Sequence, residues 1–293
     1  MLSNRLIEIG SRPDGTPITL PFSEINSGEP KVFIAVNSSK NGISANLCVW
    51  LLLEKLSKME MKGSIKVLHT VCPEFHFNQS VVLMERLYRK IAKRISEIAD
   101  DCEVLIQLCC EQNSIPFILL PQSRANTKRQ LLHIVDSIGL GVVDTCTSQD
   151  TQKDVFVDYA LTNKKMCFDL KLSGGSEWTS VMSGFATLNN VLVELGIIDS
   201  RFKEILPTTK RFDQFSCLKK VNSEFSGLLE LRVRVGDRIV PNQTLAVIHN
   251  YFGNNIGTVK SSEDALVLST TSSGIILHDD KIFELAVSHT SIT

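Results

Sequence analysis

Three short stretches of the 293-residue chain carry side chains able to do chemistry, or stand where chemistry is expected. The segment HTVCPEFH places His69, Cys72, Glu74 and His76 within eight residues. Imidazole, thiolate and carboxylate are all legitimate zinc ligands. Its two histidines are seven apart, however, a spacing that matches no common metal signature. The segment VLIQLCC ends in Cys109-Cys110. A thiolate there would be a nucleophile if a neighbouring His or cation lowered its pKa. Lys171, in FDLKLSGG, is a cation able to do so in space, although adjacent cysteines on a buried strand more often act as small hydrophobes. The third stretch, KVFIAVNSSKNGISANLCVW, matters for what it lacks. Val32 to Val36 reads as a buried strand, and a helix opens from Asn41. The turn Asn37-Ser38-Ser39-Lys40 lies at the carboxyl end of that strand, where open α/β sheets usually place their ligands. It holds no residue that normally binds a metal or transfers a proton.

The elements that must position these residues alternate along the first two thirds of the chain. Apolar, β-branched runs predict strands at Val32 to Val36, Ile65 to Val71, Val104 to Cys109, Phe117 to Leu120, Val155 to Ala160 and Met166 to Leu172. Helices fall between several of them. One is SANLCVWLLLEKLSKM. In VLMERLYRKIAKRISEIADD, Leu83, Leu87, Ile91, Ile95 and Ile98 mark one helical face. NTKRQLLHIVDSIGLG starts at an Asn126 cap and ends on glycine, and TSVMSGFATLNNVLVELGII ends near Gly196. This alternation predicts a parallel or mixed sheet with helices on both faces. After about Ile205 the texture changes. LPTTKRFDQFSC reads as a connector, and LLELRVRVGDRIVPNQTLAVI and GIILHDDKIFELAV alternate apolar and polar residues around turns, as in a small all-β module.

Composition bounds the function. Lys and Arg number 31 against 32 Asp and Glu, so no charge excess points to nucleic acid or an acidic membrane. The basic helix face in LMERLYRKIAKR is interrupted by Glu85 and Glu97 and reads as solvated. The longest apolar run, Leu47 to Leu53, is too short to span a bilayer. The eight cysteines show no CxxC spacing, and the N-terminus lacks a signal-peptide apolar stretch. Reduced thiols and a cytoplasmic setting follow as expectations. His133, His249 and His278 read as helix-surface and turn residues, and LSGGSEW lacks the lysine of a phosphate loop.

The order of these parts resembles the succinylglutamate desuccinylase/aspartoacylase family, zinc-dependent N-acyl amino acid amidohydrolases with a carboxypeptidase-like catalytic domain. The resemblance runs from GSRPDGTPITLPF to IFELAV. It is most specific in GFATLNNVLVELGII, LRVRVGDRIVPNQTLAVIHNYFG and SGIILHDDKIFELA. It implies an α/β fold with a zinc-carboxypeptidase-like mixed sheet flanked by helices over residues 1–205, and a C-terminal all-β domain over 206–293. In the family the first zinc ligands are a His and, three residues on, a Glu; Ser38 and Asn41 fall there. The third ligand is a His closing an Asp-Leu-His strand end; Gln107-Leu108-Cys109 stand in its place. The general base is a Glu before a glycine pair; Lys171 replaces it. An Asn-Arg pair that orients the scissile amide corresponds to Asn78-Gln79, without the arginine.

Every position placed from the family's metal and acid–base machinery is therefore replaced, and no metal or catalytic residue is expected. Ser38, Asn41, Asn78, Gln79, Cys109 and Lys171 are expected to line a pocket. The resemblance then implies a noncatalytic relative without cofactor. Its partner is a small ligand of N-acyl amino acid type or a protein, such as an active related enzyme. The alternative is a divergent deacylase rebuilt around His69, His76, Cys109 or Lys171, with zinc or a thiolate; Glu177 after the glycine pair is a less well-aimed substitute base.

Overall fold

The computed structural model describes residues 1–12, 14–37, 43–71, 81–121, 125–144, 155–174, 178–206, 215–272 and 274–287. In chain order the first part runs β1 (Leu2–Ser11), β2 (Pro17–Ile25), β3 (Lys31–Asn37), α1 (Ile43–Leu56), β4 (Ser64–Leu68), α2 (Val81–Ala99), β5 (Val104–Gln112) and β6 (Phe117–Leu120). It continues with α3 (Ala125–Ile138), β7 (Gly141–Asp144), α4 (Val155–Thr162), β8 (Met166–Gly174) and α5 (Trp178–Glu194). The eight strands form one sheet in the order β1-β2-β4-β3-β5-β8-β6-β7. Its centre, β4-β3-β5-β8, is parallel, while β1, β2 and β6 join antiparallel. The fold is thus the mixed sheet with flanking helices that the alternation predicts.

Burial explains the centre. Val32 to Val36 are fully buried, because helices cover both faces and a strand in that position needs apolar side chains on each. Ile34, Ile106 and Phe168 face a core shared with α1, α3 and α5. Phe33, Leu105 and Cys167 face the other, shared with α2 and α4 through Ile91, Ile95, Phe156 and Ala160. Helix α5 comes very near α1 and the sheet at Gly184, where a Cβ would sit 2.7 Å from Cys48 Sγ of α1 and 2.9 Å from Leu172 Cδ1 of β8. It stops at Gly196, whose φ of 73° is the left-handed conformation that closes helices.

Three expectations change. Val155 to Ala160 is not a strand but the start of α4: Phe156 and Ala160, four apart, both reach the second core, and that packing overrides the β-branched residues. The hairpin β1–β2 escapes strand prediction because Ser3 to Leu6 are exposed at the sheet edge and carry no apolar alternation. Helix α3 begins at Ala125, so Asn126 lies inside it.

The second part holds β9 (Cys217–Asn222), β10 (Gly227–Leu231), β11 (Arg238–Ile239), β12 (Thr244–His249), β13 (Asn255–Lys260), β14 (Ala265–Thr270), β15 (Gly274–Ile276) and β16 (Lys281–Val287). They make two four-stranded sheets, β13-β12-β10-β15 and β11-β14-β16-β9, around a core with Leu229, Ile248, Val267 and Phe283. This module is fastened to the α/β part. Ser114 bridges Ser269, and the Ile115 and Thr270 amides donate to Leu268 O and Asn113 O, each at 3.0 Å. Phe215 extends the β7 edge, and Phe117, Val143, Phe215, Leu266, Leu268 and Ala286 form an apolar seam.

Cys48, Cys102, Cys109, Cys110 and Cys167 are buried and form no disulfide. Cys217 instead is disulfide-bonded, against the expectation of wholly reduced thiols. No described helix is long and apolar enough to cross a membrane.

The segment after α5 is held by Asn190, fully enclosed, whose Nδ2 donates to Glu204 O at 2.9 Å while its Oδ1 accepts from Glu204 N at 2.8 Å. Asn190→Ala leaves both backbone groups unpaired. We expect a loss of about 1–3 kcal/mol in urea unfolding, with faster hydrogen exchange at the Glu204 amide.

Candidate functional site

At the carboxyl ends of the parallel strands, register brings mostly polar residues into rows on one face, the last of them Glu111 with Ser173. Ala35, Gln107 and Asp169 are paired across β3, β5 and β8, and one step further Asn37, Cys109 and Lys171 are paired in the same way. Strand alternation puts these rows on the face of Phe33, Leu105 and Cys167. The intervening Val36, Leu108 and Leu170 face the opposite core. One sheet face therefore changes from apolar to polar within two residues, under the seam where the β module docks. Phe117 of β6, opposite Lys171, is part of that seam.

Cys109 and Lys171 are thus neighbours, as thiolate activation requires, yet the thiol is not activated. Burial pushes Cys109 up to about 11, and the opposing pull of the Lys171 ammonium does not bring it back. Its polar neighbour is Gln107, whose Nε2 lies 3.9 Å from Sγ. Cys110 points into the other core beside Cys48, and burial raises that thiol as well.

Lys171 is the more consequential side chain. It is only 16% exposed, and its Nζ lies 3.9 Å from Glu111 Oε1. Burial works against its charge, but Cys109 and the carboxylates of Asp169, Glu111 and Glu284 outweigh that and hold the ammonium above the usual lysine range. With the thiol protonated at neutral pH, the carboxylates are the effective part. The chain of charge continues into the module. Lys281 Nζ donates to Glu111 Oε2 and to Glu284 Oε1, both at 3.0 Å, and Ser269 Oγ donates to Glu284 Oε2 at 3.1 Å. Glu284 is 4% exposed, so its pairing is obligatory. Burial raises Glu111, but Lys171 and Lys281 prevail and hold its carboxyl below the ordinary value.

His69 lies elsewhere. Its amide continues the ladder to Pro21 O, and alternation groups it with Val67, whose side chain belongs to the core opposite Cys109. Its Nε2 is 2.7 Å from Ser23 Oγ, which donates to Asn4 at 2.7 Å. Nδ1 is buried with no hydrogen-bond partner among the described residues, and burial lowers the pKa, keeping the ring neutral. The sheet therefore separates His69 from Cys109, so a site built from both does not form. Ser38, Asn41, Cys72, Glu74, His76, Asn78, Gln79 and Glu177 lie outside the described residues. His133 is exposed on α3, and His249 pairs with Glu230 at 2.9 Å on the module.

Sequence reasoning missed Asp169, Glu111, Lys281 and Glu284. Asp169, two residues before Lys171, could have been found from the strand period of two. Lys281 is 170 residues from Glu111 and carries no local signal.

The zinc that the resemblance implies does not fit this donor set. The resemblance assigns Ser38 and Asn41, which lie outside the described residues, to two ligand positions, and Cys109, assigned to the third, has the Lys171 ammonium beside it. The nearest carboxylate, Glu111, is paired with that ammonium and with Lys281; among the described residues no three His, Cys, Asp or Glu side chains are grouped to hold a metal.

Known structures match the architecture closely. An aspartoacylase family protein from Mesorhizobium loti superposes with a TM-score of 0.74 at 16% identity, covering 98% of this chain and 94% of that one. A product-bound ectoine utilization protein EutE from Ruegeria pomeroyi gives 0.77 at 14% identity over 98% and 95%. A succinylglutamate desuccinylase/aspartoacylase from Rhodobacter sphaeroides gives 0.77 at 14% over 99% and 96%. The chain therefore has the carboxypeptidase-like aspartoacylase fold over nearly its whole length. Neither a family model nor any curated protein sequence matches it.

The depressed Glu111 pKa sets a pH dependence. Its contribution is fully present above the ordinary value of 4.5 and is lost as pH falls through the lower folded value. Glu111→Gln, which removes the carboxylate nearest Lys171, is expected to cost about 3 kcal/mol at neutral pH and to flatten the acid-unfolding curve below pH 4.5. Chemical denaturation across pH, followed by circular dichroism, checks both.

Proposed function

We propose that this chain is a noncatalytic relative of the amidohydrolases whose fold it shares, keeping the strand-end face for binding. The single observation that carries the reading is Lys171. A cation stands where deprotonating a metal-bound water requires an anion, and it is enclosed among carboxylates beside a protonated thiol. The ligand is a small molecule of N-acyl amino acid type, meeting Asn37, Gln107 and Lys171 at the strand ends with Ser38, Asn41, Asn78 and Gln79 contributed by the loops. Binding of a protein such as an active related enzyme is the other form of the same proposal. The proposal of a cytoplasmic setting rests on five buried thiols that form no disulfide.

The competing reading, a rebuilt hydrolase, draws on Asp169 and Glu111 being near Cys109. A base must accept protons near neutral pH and a nucleophilic thiol must lose one. Glu111 is ion-paired and held low, and Cys109 is held high.

The test incubates untagged protein with zinc and then with N-acetyl and N-succinyl amino acids, beside an active enzyme of the same fold. We expect far less than one zinc per chain and no hydrolysis above buffer. Turnover that disappears in Cys109→Ser would overturn the reading. Consistent with a buried thiol, Cys109 is expected to resist iodoacetamide at pH 7.5 in the folded protein, as read by peptide mass spectrometry.

A further inference from the structure

We infer that Lys171 is the resident cation of this site: with Glu111, Asp169 and Glu284 its ammonium takes the charge-neutralising place that a bound metal takes in a metallohydrolase. The inference rests on the noncatalytic reading and says what occupies the old centre. The strand-end face is a filled site with an internal cation, not a metal centre left empty.

Geometry supports this in three ways. Lys171 sits near the carboxyl ends of the parallel strands, between β5 and β6, with Cys109 opposite on one side and Phe117 on the other. The Glu111 carboxylate of β5 lies 3.9 Å from it, and the charges of Asp169, two residues back on its own strand, and of Glu284, on β16 of the module, favour the ammonium from further away. The second ammonium, Lys281, is shared between Glu111 and Glu284, so the two lysines alternate with the carboxylates across the seam. A divalent ion entering here would face an ammonium already in place and the Glu111 and Glu284 carboxylates already engaged. The same arrangement gives Lys171 a second effect: by fixing Glu111 it presents that carboxylate to Lys281 and so couples the site to the docked module.

The consequence for recognition is specific. A ligand at this face meets a cation whose charge is already balanced, so it is held through hydrogen bonds to neutral amides such as Asn37 and Gln107 rather than by ligation to a metal.

Chemical rescue tests the inference. Lys171→Ala leaves a cavity of about an alkylammonium's size among buried carboxylates. The variant is expected to melt several degrees below the wild type. n-Propylammonium should restore most of the loss, whereas 1-propanol, of similar shape and no charge, should restore little. Equal effects of the two additives would reduce Lys171 to a packing role and overturn the inference. So would Lys171→Met melting at the wild-type temperature. Should Lys171→Ala not fold on expression, refolding yields with each additive give the same comparison. On the wild-type chain, neither zinc nor a chelator is expected to move the melting temperature; a zinc-induced rise would show a metal taking the place assigned to the ammonium. Hydrolysis by a chain that passes the rescue test would sink the noncatalytic reading alone, while failed rescue in an inactive chain would sink only this inference.

Discussion

An ammonium taken out of water costs several kcal/mol, and only close carboxylates offset that cost. Lys171 imposes this constraint on everything around it. Glu111 must stay ionised to meet it, and so must have a second partner for its other oxygen, which Lys281 supplies. Lys281 in turn satisfies the almost fully buried Glu284, whose remaining oxygen takes the Ser269 hydroxyl. Each member is a penalty without the next. The chain of charges therefore acts as one unit and belongs to neither half of the molecule.

That unit lies beneath a seam that backbone and apolar contacts also hold. Strand β14 joins the β5–β6 corner through main-chain hydrogen bonds, and Phe117, Phe215 and Leu268 exclude water beside it. Exclusion of water strengthens the ion pairs by lowering the local dielectric, and the ion pairs fix how β16 lies over the strand ends. The module is thus part of the site's construction.

Fold and chemistry separate clearly here. At 14–16% identity the architecture is kept over nearly the whole length, because its requirement is apolar residues at the right period, which many sequences meet. A hydrolytic site requires particular atoms in particular places. Function resides in such sites and not in the fold that carries them.

The sequence by itself determined the parts that depend on local period. Val32 to Val36, Val104 to Leu108 and Met166 to Leu172 read as buried strands, and Ile91 and Ile95 as one face of a helix, since each pattern is written in neighbouring residues. Through the family resemblance alone it also pointed to Ser38, Asn41 and Cys109 as the positions to examine. Tertiary structure decided what local pattern could not carry. It made Val155 to Ala160 a helix, since burial of Phe156 and Ala160 outweighs β-branching. It put His69 and Cys109 on opposite faces of one sheet through a register that no single strand specifies. And it surrounded Lys171 with Glu111 and Glu284, a meeting of β5, β8 and β16 across more than a hundred residues of chain, which only the docking of the module brings about.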